Sequence, residues 1–426
     1  MAPSENTPLV GGNNHSDQSG NALPMHRPTS FPSRLNPNAP PGHPNFVSSV
    51  YWLFTSSWVN ILLLFVPLGF ASEFLHWPAV WRFSLNFLAI VPLAKLLGDA
   101  TEQASLKLGQ TLGGLLNATF GNAVELIVGI VALLQGQLRI VQQSLIGSIL
   151  SNILLVLGCS FVAGGLFKSE STFQQTAAQA SGSIMMLGCI TVAIPAAYQG
   201  SSRMSALLTG GFEALEKINK HADETEHGLL FISRGASLIL VAVYALYLIF
   251  QLRTHAFLYE AEEADEEEEV PMMTPVAAVA GLLAVTLVTS FNADYLVGAI
   301  DETAQEYGIP KAFIGTILLP VVGNATEHFT SVWMAAKNKM EIAIGVSVGS
   351  SIQIAVGVIP SLVLLGWAVG QPLTLYFQSF ETVVLVASVV LVNTLIQDGR
   401  SNYMEGAMLV SLYAVAALSF WVEPDV

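Results

Sequence analysis

The stretches FGNAVELIV, beginning at Phe120, and VGNATEHFT, beginning at Val322, are near-copies of one another. Gly121, Asn122, Ala123 and Glu125 match Gly323, Asn324, Ala325 and Glu327 at a constant shift of 202 residues. The same shift carries Gly113 to Gly315, Gly147 to Gly349 and Ser148 to Ser350 without a gap. Seven identities in one register mark an internal duplication, and each copy sets an acid inside an apolar stretch. Few architectures build the same charged position twice.

Composition says where the copies lie. Of 426 residues, 52% are hydrophobic and 11% charged, against about a quarter charged in soluble domains. Eleven apolar segments follow one another, several of them matching the roughly 20 residues that a spanning helix needs. The first runs from about Trp58 to Leu75 and reads as an uncleaved signal anchor. The next five lie near 80–104, 110–134, 138–166, 174–198 and 228–252. The last five lie near 276–300, 312–336, 341–369, 376–397 and 404–421. Strand-built barrels need shorter segments alternating at period two, so the expected fold is an all-α polytopic membrane protein of eleven transmembrane helices.

The expected organisation is a Pro-rich tail over 1–45, a first transmembrane helix over 46–76 and a first five-helix repeat over 77–254. An acidic linker over 255–274 and a second five-helix repeat over 275–426 complete it. The tail holds nine of the twenty prolines and no apolar run, so it reads as disordered. Five is an odd number, so the two halves enter the membrane from opposite sides. Inverted repeats of this kind are the mark of secondary transporters, with the site near the midplane between the halves.

Basic residues orient the chain weakly. A cytosolic N-terminus puts Arg27, Arg34, Lys107, Lys168, Arg253, Lys337, Lys339 and Arg400 on the cytosolic side. Arg82, Arg139, Arg203, Lys217, Lys220 and Lys311 then face the other side, a small excess in the sense of the positive-inside rule. Net charge is −15, but eight acids form one run: Glu260, Glu262, Glu263, Asp265, Glu266, Glu267, Glu268 and Glu269. The run reads equally as a solvated linker or as a device that gathers cations at an entrance. No basic patch suits nucleic acid. The two cysteines, Cys159 and Cys189, sit in apolar segments and carry no redox information.

Residues three apart share a helix face, so Asn122 projects with Glu125 and Asn324 with Glu327. Gly121, Gly323 and Pro320 interrupt the helices there and free backbone carbonyls, which is tolerated at membrane depth only in buried or cavity-lining positions. Carboxylates, amides and carbonyls together make an all-oxygen cage suited to a hard cation such as Ca²⁺; zinc would call for His and Cys. A structural reading has these acids paired with a cation such as Arg234, but acids at membrane depth are functional by default. One helix further on, Ser148 aligns with Ser350 and Ser151 with Gln353, either as a second layer of cation ligands or as ordinary small-residue packing. His328, Glu102 and Asp294 are candidates for a proton-linked role. No phosphate-binding loop, dinucleotide fingerprint, zinc-protease motif or EF-hand appears, so transport is expected rather than enzymatic catalysis. A seven-helix receptor gives an inverted repeat no role, and an intramembrane metallohydrolase would rest on Glu327 and His328 alone.

The segments LLNATFGNAVELIVGIVAL and VVGNATEHFTSVWMAAK resemble the paired signature repeats of the cation/proton exchanger family, within the calcium/cation antiporter superfamily, in particular its fungal vacuolar calcium/proton exchangers. The resemblance runs from Trp58 to the C-terminus. It implies eleven helices in a vacuolar membrane, a cytosolic N-terminus and a lumenal C-terminus, with cytosolic Ca²⁺ exchanged for lumenal H⁺. It implies that Glu125 and Glu327 bind the ion, assisted by Asn122 and Asn324 and flanked by Ser148, Ser151, Ser350 and Gln353. It matches the acidic run to an acidic helix at the cytosolic mouth. Ca²⁺ is then the transported substrate, with no cofactor, and the partners are Ca²⁺, H⁺, the bilayer and, in a homo-oligomer, further copies of the chain. Sodium/calcium exchangers of the superfamily carry additional acids in the second repeat helix, where Ser350 and Gln353 are neutral. A sodium-driven or manganese-preferring exchanger is the alternative.

Overall fold

The computed structural model describes residues 44–106, 108–209, 214–258 and 271–423. Residues 1–43 of the Pro-rich tail, Lys107 and the acidic run lie outside the described residues.

In chain order the helices are α1 (Phe46–Thr55), α2 (Phe65–Phe74), α3 (Ala79–Ser105), α4 (Gly109–Phe120), α5 (Ala123–Leu134), α6 (Leu138–Leu150) and α7 (Leu157–Phe167). After strand β1 (Ser171–Thr172) come α8 (Gln175–Thr209) and α9 (Ala214–Ile249). The second half holds α10 (Pro275–Gly298), α11 (Ile300–Tyr307), α12 (Lys311–Phe313), α13 (Leu319–Gly323), α14 (Ala325–Ala336), α15 (Met340–Ile352), α16 (Ile359–Val369) and α17 (Ser379–Leu395). Strand β2 (Arg400–Ser401) and α18 (Tyr403–Val422) close the chain.

The duplication holds in the backbone at the same shift of 202. Helix α5 maps onto α14, α6 onto α15 and α7 onto α16, each with both ends in register. Between α6 and α7 the helix widens to a π turn at Ser151–Val156; between α15 and α16 it does so at Gln353–Val358, again in register. Such widened turns concentrate at functional sites, and here each begins on a residue of the polar seam.

One expectation is corrected. The first transmembrane helix expected over 46–76 is broken: α1 and the stretch Trp58–Phe74 meet at 90°, with the break at Ser56–Ser57. Among the described residues, seven helices are long and apolar enough to span by length and composition, or nine with each bent pair counted as one. The remaining two segments are shorter apolar helices, Lys311–Gly323 and Ser379–Leu395. Beside the helices, β1 and β2 pair antiparallel, Ser171 opposite Ser401.

Two faces can be distinguished. On one, here the near face, the C-terminal end of α3 and the N-terminal ends of α8 and α15 surround a common cavity. On the opposite, far face, polar contacts tie the ends together. Arg82 donates to Glu302 (2.6 Å) and Glu73 (3.5 Å), and Asp301 holds Lys311 (2.7 Å) and Gln137 (2.8 Å). Gln135 donates to Asp294 (2.7 Å). Arg139 grips Glu381 with both guanidinium arms, at 2.6 and 3.2 Å.

Glu381 is fully buried while Arg139 keeps about a third of its surface exposed. Removing the arginine strands a buried charge. Breaking a buried pair typically costs 3–5 kcal/mol, and partial solvent screening puts Arg139→Ala near the low end, at about 3 kcal/mol. The expected result is a clearly lowered midpoint of thermal unfolding in detergent, with most of the loss recovered when Glu381→Gln is added.

Candidate functional site

Each duplicated motif lies at a helix break. Asn122 leaves the helical conformation (φ −107°, ψ 33°) between α4 and α5, which bend by 49°. Asn324 does the same (φ −86°, ψ 15°) between α13 and α14. Asn competes for the backbone with its own side chain and is a poor interior helix residue. In the second half Pro320 adds its own disruption: its ring crowds the carbonyl four residues back, at Thr316, and the chain widens there into a π turn over Ile314–Leu318.

Both glutamates fall in the first turn of the helix that restarts after the break. The positive end of that helix faces a negative side chain, a favourable arrangement. Glu125 is 7% exposed and Glu327 9%. Arg234 is not their partner; it lies over the Trp367 ring, 5.0 Å from its centre.

The motifs interlock across the repeats. Asn122 Nδ2 donates to Gln353 Oε1 at 2.5 Å, and Asn324 Nδ2 donates to the Ser148 carbonyl at 3.1 Å. Each amide of one repeat is thus fixed by the seam of the other. A Cβ at Gly323 would stand 3.0 Å from Glu125 Oε1, so a bare glycine lets the second motif reach the first acid. With the donors committed, the acceptors are left over: Asn122 Oδ1, Glu125 Oε1, Asn324 Oδ1 and Glu327 Oε2 are buried without a hydrogen-bond partner. Orphaned buried oxygens are costly, and four in one duplicated motif pair call for a cation or protons.

A cavity of about 780 Å³ leads to this point from the near face, with Glu125 and Glu327 both in its wall. Ser350 and Gln353 also line it, as do Asp99, Glu102 and Glu341 nearer the mouth. On the other side of Glu125 lies a second pocket of only about 20 Å³, room for about one water. Its eleven lining residues, shifted by 202, give ten residues of the large cavity: Val128 corresponds to Thr330, Ser144 to Val346, Ser148 to Ser350, Leu319 to Asn117. The two are the same half-route, open in one repeat arrangement and collapsed in the other.

The sequence candidates separate accordingly. Glu125, Glu327, Asn122, Asn324 and Gln353 come together. Ser350 faces the open cavity and Ser148 the collapsed one, while Glu125 lines both. Ser151 is buried and lines neither. His328 is half-buried and outside the cavity wall. Asp294 is exposed and bonded to Gln135 on the far face. Of the proton-linked candidates, Glu102 alone lines the cavity.

Asp99, Thr330 and Glu341 were not legible as cavity residues. For Asp99 a signal existed: Asp99, Thr101 and Gln103 match Asp301, Thr303 and Gln305 at the same shift of 202.

Two inverted repeats meeting at a buried oxygen cluster, with one half-route open and its twin shut, define a secondary transporter of cations. A sequence profile described as sodium/calcium exchanger protein matches residues 78–253 and 277–422. The chain belongs to that family. It is 46% identical to the vacuolar calcium ion transporter of Schizosaccharomyces pombe over 382 residues, 89% of either chain. It is 39% identical to the Ca(2+)/H(+) antiporter of Aphanothece halophytica, covering 86% of this chain and 96% of that one. The solved structure of native YfkE superposes with a TM-score of 0.69 at 33% identity, over 86% of this chain and all of YfkE.

Proposed function

We propose that this protein exchanges Ca²⁺ for H⁺ across a vacuolar membrane, taking calcium from a cytosolic near face and releasing it to an acidic lumen. The observation that carries this reading is the set of four unpartnered, buried oxygens contributed by Asn122, Glu125, Asn324 and Glu327. Hard divalent cations take oxygen ligands and need no soft group.

The exchange follows from charge. Two ionised carboxylates in a poorly solvated site repel one another and lack hydration. One Ca²⁺ cancels both charges, and so do two protons. States loaded either way are the ones able to pass between the two open forms, whereas the empty ionised state is held back. The seam adds only neutral groups at Ser148, Ser151, Ser350 and Gln353, so the charge balance rests on the two glutamates. Direction is favoured by the mouths: Glu341, on the near side, corresponds to Arg139 on the far side, and a negative entrance concentrates cations. The relatives named vacuolar calcium transporter and Ca(2+)/H(+) antiporter support the same reading.

Radiocalcium uptake into sealed, lumen-acidified vesicles holding the purified protein tests it. Uptake is expected to vanish when a protonophore collapses the gradient. Uptake that survives collapse but needs lumenal sodium would assign sodium as the driving ion instead.

A further inference from the structure

The collapsed route shows how a half-route is shut, and the duplication tells which residues must shut the other. On the far face Asp301 Oδ2 accepts from Gln137 Nε2 at 2.8 Å. This contact joins α11 to the turn between α5 and α6. That turn is built twice: Gly136 has φ +74° and Asn338 φ +64°. Gln137 N donates to the Ala132 carbonyl (2.8 Å), and Lys339 N donates to the Met334 carbonyl (2.9 Å). Shifted by 202, Gln137 becomes Lys339 and Asp301 becomes Asp99. In this structure the second pair is apart. Asp99 lines the open cavity and holds Lys95 and Ser56 Oγ, the latter at 2.8 Å. Lys339 is exposed and makes no ion pair among the described residues.

We propose that Lys339 closes on Asp99 when the near-face cavity shuts, as the counterpart of the Gln137–Asp301 contact that now shuts the far face. The two contacts alternate: one forms as the other breaks. Their chemistry differs because the mouths differ. The near mouth carries Glu102 and Glu341, so a cationic side chain completes its closure; at the far mouth Arg139 and Lys311 are already held by Glu381 and Asp301, so a neutral amide suffices. Lys339 is exposed and Asp99 is buried beside Lys95, so the added contact is partly screened and contributes modestly, enough to bias two nearly balanced states. Lys339 and Asp99 thus position the gate rather than bind the ion. The inference rests on the alternating half-routes and not on which ions are exchanged.

Asp99→Cys with Lys339→Cys, in a chain whose Cys159 and Cys189 are replaced by Ala, tests it by disulfide formation in vesicles. Thr330→Cys deep in the cavity reports access to a maleimide added at the near face. The expected result is a cross-link that abolishes labelling of the reporter, with labelling restored by reductant. The far-face pair, Gln137→Cys with Asp301→Cys, is expected to cross-link and leave labelling intact. Absence of the Asp99–Lys339 cross-link in protein that turns over, or a cross-link with undiminished labelling, would overturn the proposal. Lys339→Glu, without any cross-link, is expected to raise the labelling rate, and an unchanged rate counts against it. Labelling does not depend on the transported ion, so a failure of calcium/proton exchange would leave this result readable.

Discussion

Glu125→Gln and Glu327→Gln are each expected to reduce calcium uptake by about 100-fold or more, equivalent to about 3 kcal/mol of lost stabilisation of the loaded state. The substitution keeps volume and shape but removes one of the two charges that a divalent cation would neutralise. Calcium affinity in oxygen sites follows ligand charge and rigidity, and the neighbouring ligands here are all uncharged. Folding is not expected to suffer. Each glutamate is 9% exposed or less, and removing one ends the repulsion between two ionised carboxylates. A ligand that binds the folded state raises the unfolding midpoint, so calcium is expected to stabilise the parent chain and to leave either variant unmoved. A variant that unfolds early would indicate a structural role, and robust uptake by both would remove the mechanism.

The second large effect comes from two matched glycines. A Cβ on Gly147 would stand 2.2 Å from the Thr316 carbonyl oxygen, which is backbone and cannot yield. A Cβ on its counterpart Gly349 meets nothing within 4 Å, because Gly349 looks into the open cavity. The counterpart of Pro320, which crowds Gly147 at 2.5 Å, is Ala118 in that cavity's wall. When the cavity closes, Ala118 comes against Gly349 as Pro320 now comes against Gly147. Gly349→Val is therefore expected to fold and to keep the cavity accessible from the near face. Transport is expected to be lost, because the closed partner state would have to absorb an overpacked contact costing about 1–3 kcal/mol or more. Gly147→Ala acts in the opposite sense, disfavouring the arrangement described here. Maleimide access to Thr330→Cys separates them: raised or unchanged in Gly349→Val, lowered in Gly147→Ala. Equal access in both would contradict the equivalence of the two half-routes.

Much of this was legible in the sequence, for a definite reason. A duplicated acid in an apolar segment is visible without any structure, since charge at membrane depth is rare and repetition in register rarer still. Glu125, Glu327, Asn122 and Asn324 stand out in that way, and the structure brings them together. What periodicity could not convey is the split between them. Ser148 and Ser350 align as equals, yet one faces a collapsed pocket and the other an open cavity, because a single conformation breaks the symmetry that the sequence keeps. The π turns starting at Ser151 and Gln353 were likewise hidden, being set by tertiary packing rather than by local propensity. The break at Ser56–Ser57 was missed because its flanks are apolar on both sides. Asp99 and Asp301 were overlooked although their register is the same, because they stand near helix ends, where a charge excites no suspicion.

Central to all of this is that calcium and protons share one duplicated site in turn. The most direct measurement records lumenal pH and lumenal calcium together in the same proteoliposomes, for the parent chain and for Glu125→Gln. Calcium entry should alkalinise the lumen in fixed proportion, and both signals should disappear together in the variant. Calcium entry with no change in lumenal pH, or proton movement that persists in Glu125→Gln while calcium entry stops, would contradict a shared site.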